Sequence, residues 1–350
     1  MPLTRHAVPS LAALTLLLLP LGARAQSPYD RLVVFGDSLS DTGNAYSVTS
    51  ALHQVLPSIT PTPASPPYYN GRFSDGPIWV EDLAQQLGVN FDTTPMQLVN
   101  PATLQVKVTG DDIALGGATT GTANFGTPIN VAAGMQTEVA AYLTQEKVDP
   151  HALYILWGGA NDYFSAASSN PTADAATRQQ TVNTTVSNLT GEIGALANAG
   201  AKNFLIPNLP DLGTTPFAAS NNLMTPLSEY TATHDADLAA ALGALSANPA
   251  YAGDTFQLLD VNGLYNSVEA DPTAYGFEFT TGQGMDNLGP NQDKYLFWDY
   301  FHPTAPGHRL LAGLAYRTVT PAAVPEPNTF ALLGAGLALV GFARRRKRTV

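Results

Sequence analysis

The sequence contains no cysteine. That absence excludes disulfide staples, thiolate metal sites and a cysteine nucleophile, so the fold must rest on its core alone. Histidine is scarce as well, six in 350 residues. No two of them stand at zinc-ligand spacing, so no metal site is expected. Charged residues make up only 13%, and they run negative, with 28 Asp and Glu against 16 Lys and Arg. A surface short of cations repels a phosphate backbone, so a nucleic-acid partner is not expected. The body of the chain has no long apolar run. The apolar runs stand at the two ends.

The first of them is Leu11 to Leu21, preceded by Arg5 and followed by Ala23-Arg24-Ala25. A cation, a short greasy core and small residues at a cleavage site predict a signal peptide over residues 1–25. The second, Phe330 to Ala343, is followed by the basic cluster Arg344 to Arg348. At about 1.5 Å per helical residue it is short against a bilayer core of roughly 30 Å. Together with Val324-Pro325-Glu326-Pro327 this tail resembles the PEP-CTERM sorting signal. The resemblance implies an exported protein of a Gram-negative bacterium, extracellular or at the cell surface, whose tail (324–350) is cut by an exosortase-type peptidase. An uncleaved inner-membrane anchor is the alternative, so membrane contact through the tail is either transient or permanent. Without the two ends, nine Lys and Arg face twenty-seven Asp and Glu, a net charge of −18.

Between the ends, apolar runs alternate with helical spacing. Leu32–Phe35, Asp112–Leu115, Ala152–Trp157, Asn203–Pro207 and Thr255–Asp260 read as strands. Trp79–Leu87, Ile129–Gln145, Asp174–Ala199, Pro226–Ala247 and Pro303–Thr318 read as helices. Continuously apolar strands between helices predict a parallel sheet covered on both faces. Such sheets hold ligands at the carboxyl ends of their strands. The Pro/Ser/Thr-rich stretch Ser58 to Pro67 predicts an inserted surface loop, so residues 26–320 form one domain.

Chemistry-bearing residues gather where that rule points. "VVFGDSLSDTGN" (Val33 to Asn44) puts Ser38 just past the first strand, and its following residues are expected to start a helix whose amides favour negative charge. "IALGGATTG" (Ile113 to Gly121) and "WGGANDYF" (Trp157 to Phe164) add glycine pairs and the amide of Asn161 at two more strand ends. "WDYFHPTAPGH" sets Asp299 three residues before His302, where a carboxylate can orient an imidazole. Nucleophile, base, orienting acid and oxyanion donors are thus all present for acyl transfer.

These four blocks resemble those of the GDSL or SGNH hydrolases, and "NGRFSDGPIW" (Asn70 to Trp79) resembles a segment of one branch of that family. The resemblance covers Asp30 to Thr318. It implies an α/β fold, a three-layer α/β/α sandwich with a five-stranded parallel sheet in a flavodoxin-like arrangement. It further implies Ser38 as nucleophile, His302 as base and Asp299 as its orienting acid. The oxyanion hole would be the amides of Ser38 and Gly117 with the Asn161 side chain, and Gly116 is the rival to Gly117. The reaction implied is ping-pong hydrolysis of a carboxylic ester (lipid, short-chain or polysaccharide acyl) without metal or cofactor. Acyl transfer by the same residues, or a non-catalytic matrix protein keeping the fold, are the alternatives.

Other residues invite plainer readings. His308 is expected to be a surface or packing histidine, and His53, His151 and His234 show no partner in the sequence. Asp37 supports the serine loop or sits at a helix start. Tyr68 and Tyr69 line a substrate rim or pack at the surface.

Overall fold

The computed structural model describes residues 27–103, 105–125 and 134–320, with 334, 336, 337 and 339 in the tail. The expected signal peptide, the start of the helix expected from Ile129 and nearly all of the sorting segment lie outside the described residues. No described helix is long and apolar enough to cross a membrane.

Within 27–324 the elements follow in order. β1 (Leu32–Gly36) leads to α1 (Asn44–Val55) and α2 (Trp79–Leu87). A hairpin of β2 (Gln97–Asn100) and β3 (Gln105–Lys107) comes next, then α3 (Met135–Gln145). β4 (Leu153–Trp157) runs into α4 (Ala160–Ser169) and α5 (Ala175–Ala199). β5 (Asn203–Pro207) precedes α6 (Pro216–Asn221) and α7 (Met224–Ala247). β6 (Thr255–Leu259), α8 (Val261–Ala270) and α9 (Ala305–Val319) complete the domain.

The main sheet is parallel, in the order β1-β4-β5-β6. Every residue of β1 and β4 is buried. Burial of each large apolar side chain there is worth roughly 1.5–3 kcal/mol, so the strand ends that carry the site are firmly held. α2 packs on α9, and α5 packs on both α3 and α7, so the sheet is covered on both faces.

The expected fifth strand, Asp112–Leu115, is reduced to one parallel bridge between Val34 and Asp112. Its inner edge does pair with β1: Val34 N–H donates to Asp111 O (2.9 Å), Ile113 N–H to Val34 O (2.8 Å) and Leu115 N–H to Gly36 O (3.0 Å). Its outer edge is closed by side chains. Asn44 Nδ2 donates to the carbonyls of Asp112 (3.0 Å) and Ala114 (2.8 Å), and Ala114 N–H turns back onto Asp112 Oδ1 (3.0 Å). That local turn ends the strand, and the side-chain cover leaves no open edge. The sheet therefore has four strands and a bridged margin. Counted with that margin, the spatial order is that of a flavodoxin-like sheet, and the strand order reverses between β1 and β4.

A second expectation fails at Ser38. No helix starts there. Residues 37–41 form a tight turn, with Ser40 and Asp41 N–H both donating to Asp37 O (3.0 and 3.1 Å), and α1 begins only at Asn44. The amides at the start of α1 are taken by Asp41, whose carboxylate accepts from Gly43 (2.7 Å), Asn44 (2.5 Å) and Ala45 (3.0 Å).

Candidate active site

The glycine that ends β1 is there because the backbone comes too close for anything larger. A Cβ on Gly36 would stand 2.4 Å from the carbonyl oxygen of Trp157 on β4. The chain then turns, and Ser38 emerges at the point where the strand order reverses.

Three residues from two distant segments meet there. Ser38 Oγ lies 2.7 Å from His302 Nε2, across 264 positions of sequence. On the other side of the ring, His302 Nδ1 faces both oxygens of Asp299, at 2.7 and 2.9 Å. Two carboxylate oxygens on Nδ1 place the proton on that nitrogen, which leaves Nε2 to accept from the serine hydroxyl. Asp299 Oδ1 also accepts the N–H of Phe301 and of His302, both at 2.8 Å. Burial pushes the Asp299 carboxyl up, but His302 and the surrounding donors outweigh it and hold the group below its usual value.

The two glycines of "GGATT" differ in their duties. Gly116 N–H donates to Asp41 Oδ2 (2.8 Å), and a Cβ there would stand 2.4 Å from the ring of Phe73. Gly117 lines the cavity beside Ser38 and has φ +83°, and a Cβ on it would meet Phe125 O at 2.4 Å. Of the two, Gly116 has its amide committed to a carboxylate. Asn161 stands in the first turn of α4, a helix that sequence reasoning did not identify after the strand end at Gly158-Gly159. Its Nδ2 donates to Ala118 O (2.9 Å) and, at 3.3 Å, to Asp37 Oδ2. The neighbouring Asp162 accepts the amide (2.9 Å) and hydroxyl (2.8 Å) of Thr120, which ties α4 to the glycine loop.

Asp37 supports the serine turn, accepting Leu39 N–H on Oδ1 (3.0 Å). Burial raises its carboxyl to about 6, against the pull of that amide. A cavity of about 200 Å³ opens from this group, and its walls include Phe125, Phe164, Leu209, Leu212 and Phe301. Phe301 packs on Phe164 (5.0 Å between centroids) and on Phe217 (4.6 Å), so α4, α6 and the histidine turn share one aromatic wall.

The remaining histidines lie elsewhere. His308 is fully buried, which rules out the surface reading and keeps the packing one, and its Nδ1 accepts from Trp79 N–H (3.4 Å). His234 does have a partner, the hydroxyl of Tyr163 at 2.7 Å, and His53 Nδ1 lies 2.7 Å from Ile59 O. Two aromatic residues beside the triad residues take roles that sequence reasoning did not assign: Tyr68 was expected at a substrate rim or the surface, and Phe73 was not singled out. Tyr68 Oη donates to Asp299 Oδ2 at 2.6 Å, and Phe73 lies against the His302 ring, 5.1 Å between centroids. The block "NGRFSDGPIW" was the available signal for Phe73.

Known proteins match this arrangement over most of the chain. The profile described as GDSL-like Lipase/Acylhydrolase matches residues 32–314, and a PEP-CTERM protein-sorting motif matches residues 323–347. A phosphatidylcholine-sterol acyltransferase of Aeromonas hydrophila is 33% identical over 216 residues, 61% of this chain and 54% of that protein. Esterase EstA of Pseudomonas aeruginosa is 30% identical over 331 residues, 83% of this chain and 47% of that protein. The chain thus spans about half the length of these two bacterial relatives. GDSL esterase/lipase 22 of Arabidopsis thaliana is 27% identical over 326 residues, 84% of this chain and 80% of that protein. A solved lipolytic protein of the G-D-S-L family from Veillonella parvula covers 81% of this chain and 95% of its own, at 15% identity and a TM-score of 0.43. With four motif blocks meeting at one cleft and a family profile spanning nearly the whole described domain, the chain belongs to the GDSL-like lipase/acylhydrolase family.

Proposed function

We propose that this chain hydrolyses carboxylic esters through an acyl-enzyme on Ser38. The observation that carries the reading is the continuous relay from Ser38 Oγ through His302 to Asp299, with 2.7 Å on each side of the ring, at an apolar cavity. His302 Nε2 takes the hydroxyl proton as Oγ bonds to the ester carbonyl carbon. The carbonyl oxygen becomes an oxyanion, received by the amides of Ser38 and Gly117 and by Asn161 Nδ2, which gives up its long 3.3 Å bond to Asp37 and keeps the one to Ala118 O. The bond to the alcohol oxygen then breaks, and that oxygen leaves with the proton from His302. Water repeats the sequence on the acyl-enzyme and releases the acid. Gly117 is favoured over Gly116 as donor because the Gly116 amide is committed to Asp41.

The phenylalanine-rich wall supports an apolar acyl group longer than acetyl. Each methylene buried there is worth about 0.8 kcal/mol, so kcat/KM should climb roughly fourfold per added methylene until the cavity is full. A panel of chromogenic esters from acetyl to long acyl, run beside Ser38→Ala, tests both points. Activity that survives Ser38→Ala removes the mechanism. A maximum at acetyl removes the apolar acyl group.

Acyl transfer to an alcohol is the second reading, favoured by the named activity of the Aeromonas relative. Added alcohol acceptors separate the two, since transfer yields a new ester at the expense of free acid. A non-catalytic matrix role would leave the whole panel unhydrolysed.

The sorting motif supports export: residues 1–25 as a signal peptide, 26–320 as the hydrolase domain, and 324–350 as a tail engaging the membrane until an exosortase-type peptidase removes it. An extracellular or cell-surface place in a Gram-negative bacterium follows from that route.

A further inference from the structure

The segment around Tyr68 lies far from the triad in sequence yet grips it from outside the motif blocks that hold Ser38, Asp299 and His302. Tyr68 Oη donates to Asp299 Oδ2 (2.6 Å), the same oxygen that His302 Nδ1 approaches at 2.7 Å. The Tyr68 ring is fixed edge-on against Phe73 and Trp298, each 6.3 Å between centroids. Phe73 in turn covers the His302 ring, in space that the missing side chain of Gly116 leaves open. Two further bonds staple the segment to the histidine turn. Ser74 Oγ donates to Pro303 O (3.0 Å), and Ala305 N–H donates to Asp75 Oδ1 (2.6 Å). The segment itself is closed by Tyr69 N–H on Ser74 O (2.8 Å) and Arg72 N–H on Tyr69 O (2.8 Å).

We propose that Tyr68 is a positioning residue for the orienting acid: its hydroxyl fixes the plane of the Asp299 carboxylate so that both oxygens face His302. The proposal rests on the triad reading above and adds to it a fourth member, brought in by the loop before "NGRFSDGPIW". An ionised carboxylate accepts only, so every neighbour of Asp299 must donate. Two donors come from its own turn, the amides of Phe301 and His302, and both fall on Oδ1. Oδ2 has only the imidazole and the phenol. Without the phenol, Oδ2 is left with the imidazole alone, while Oδ1 keeps its two amides, so the oxygen that His302 Nδ1 approaches most closely loses its one fixed donor outside the imidazole. Burial and the adjacent carboxylate raise the pKa of the Tyr68 hydroxyl, so it stays a donor across the working range. Asp37, which lines the same cavity as His302, also interacts with it electrostatically.

The sign of the effect on the proton relay follows. The phenol draws charge from Asp299, so its loss leaves more negative charge beside the ring. The acid limb of the kcat/KM profile then moves up.

The test is Tyr68→Phe in the full chain, read three ways. Steady-state hydrolysis of a chromogenic ester should show kcat lowered roughly 10-fold with KM little changed, as expected for losing one hydrogen bond to a charged group. The acid limb should shift upward. In proton NMR, the low-field Nδ1–H resonance of His302, identified by its loss in His302→Gln, should shift or broaden. In an Asp299→Asn background the kcat effect of Tyr68→Phe should vanish, because the phenol acts through that carboxylate. A rise in KM alone, with an unmoved pH profile and resonance, overturns the proposal and returns Tyr68 to the substrate rim. Should Tyr68→Phe fail to fold, 3-fluorotyrosine at position 68, a more acidic donor, must lower the acid limb and move the same resonance. An unmoved resonance there overturns the proposal equally. The NMR readout needs no turnover, so it stands apart from any failure of the hydrolase reading.

Discussion

At the scale of single residues, the site is a problem of opposing costs. A buried carboxylate is unfavourable, and burial does push Asp299 toward protonation. Three donors and the imidazole reverse that, and the result is an anion placed, in the proposed mechanism, to stabilise an imidazolium. In the proposed mechanism Ser38 and His302 work as one unit across a single 2.7 Å contact. Ser38→Ala and His302→Ala are therefore expected to lower kcat by several orders of magnitude each, and the double variant by no more than either alone. Burst-free, near-background kinetics in both, with unchanged circular dichroism, is the outcome to look for. The adjacent glycines should behave differently from each other. Gly117→Ala forces a side chain into a left-handed backbone against Phe125 O, whereas Gly116→Ala collides with the movable ring of Phe73.

At the scale of elements, the site is held by loops tied to one another more than by helix ends. α1 has its first amides satisfied by Asp41, which reaches the glycine loop through Gly116 N–H as well. α4 presents Asn161 and is anchored to the same loop by Asp162 and Thr120. Asn161→Ala should then lower kcat by roughly 10²–10³ with little change in KM, because an oxyanion donor acts on charge that develops in the transition state. A change confined to KM would make Asn161 a substrate contact instead. Melting temperature measured in parallel should fall only modestly, since the Asp162 anchor remains.

At the scale of the whole molecule, pH tightens on stability from both sides. His234 and His308 are buried, and burial lowers each to about 3. Unfolded histidine takes up its proton near its ordinary value, so stability is lost as pH falls from about 6.5 toward 3. Glu192 acts in the opposite sense. Both of its carboxylate oxygens are buried without a hydrogen-bond partner, and burial raises it to about 9. The folded state keeps a proton that the unfolded state releases above its usual value of 4.5, so stability is lost as pH rises from there toward 9. Glu192→Met is expected to stabilise the protein by roughly 3–5 kcal/mol at pH 8 and by little at pH 4.5. Urea titrations at the two pH values check it, and equal shifts at both would refute the assignment. Residues 26–323 expressed alone should fold and hydrolyse esters, since the described core lies within 27–320. In the native host, mass spectrometry of the exported protein should find the tail removed. An intact tail in the inner membrane would mean a permanent anchor.

The sequence alone determined what local chemistry determines. The apolar runs Leu32–Phe35 and Ala152–Trp157 read as strands buried on both faces, and the observed strands Leu32–Gly36 and Leu153–Trp157 are buried throughout. The helices Trp79–Leu87 and Asp174–Ala199 were legible because apolar spacing and a closing glycine are local signals, and the observed bounds differ only in Asp174 capping the helix from outside. The candidate residues were legible as types at strand ends. Tertiary structure decided everything that depends on who meets whom. The fifth strand stopped at a bridge because Asn44, from another element, and Asp112 itself satisfy its outer edge. Gly116 and Gly117 are indistinguishable as letters, but Asp41 reaches the amide of the first, and the second sits at φ +83° against Phe125 O. The hairpin β2–β3 escaped notice because its short strands are mostly exposed and carry no apolar run. Tyr68 reaches Asp299 across 231 positions, and no periodicity reports on such a pair. Periodicity records which side of an element faces the core. Contacts between distant side chains are set by how loops pack once the layers have closed.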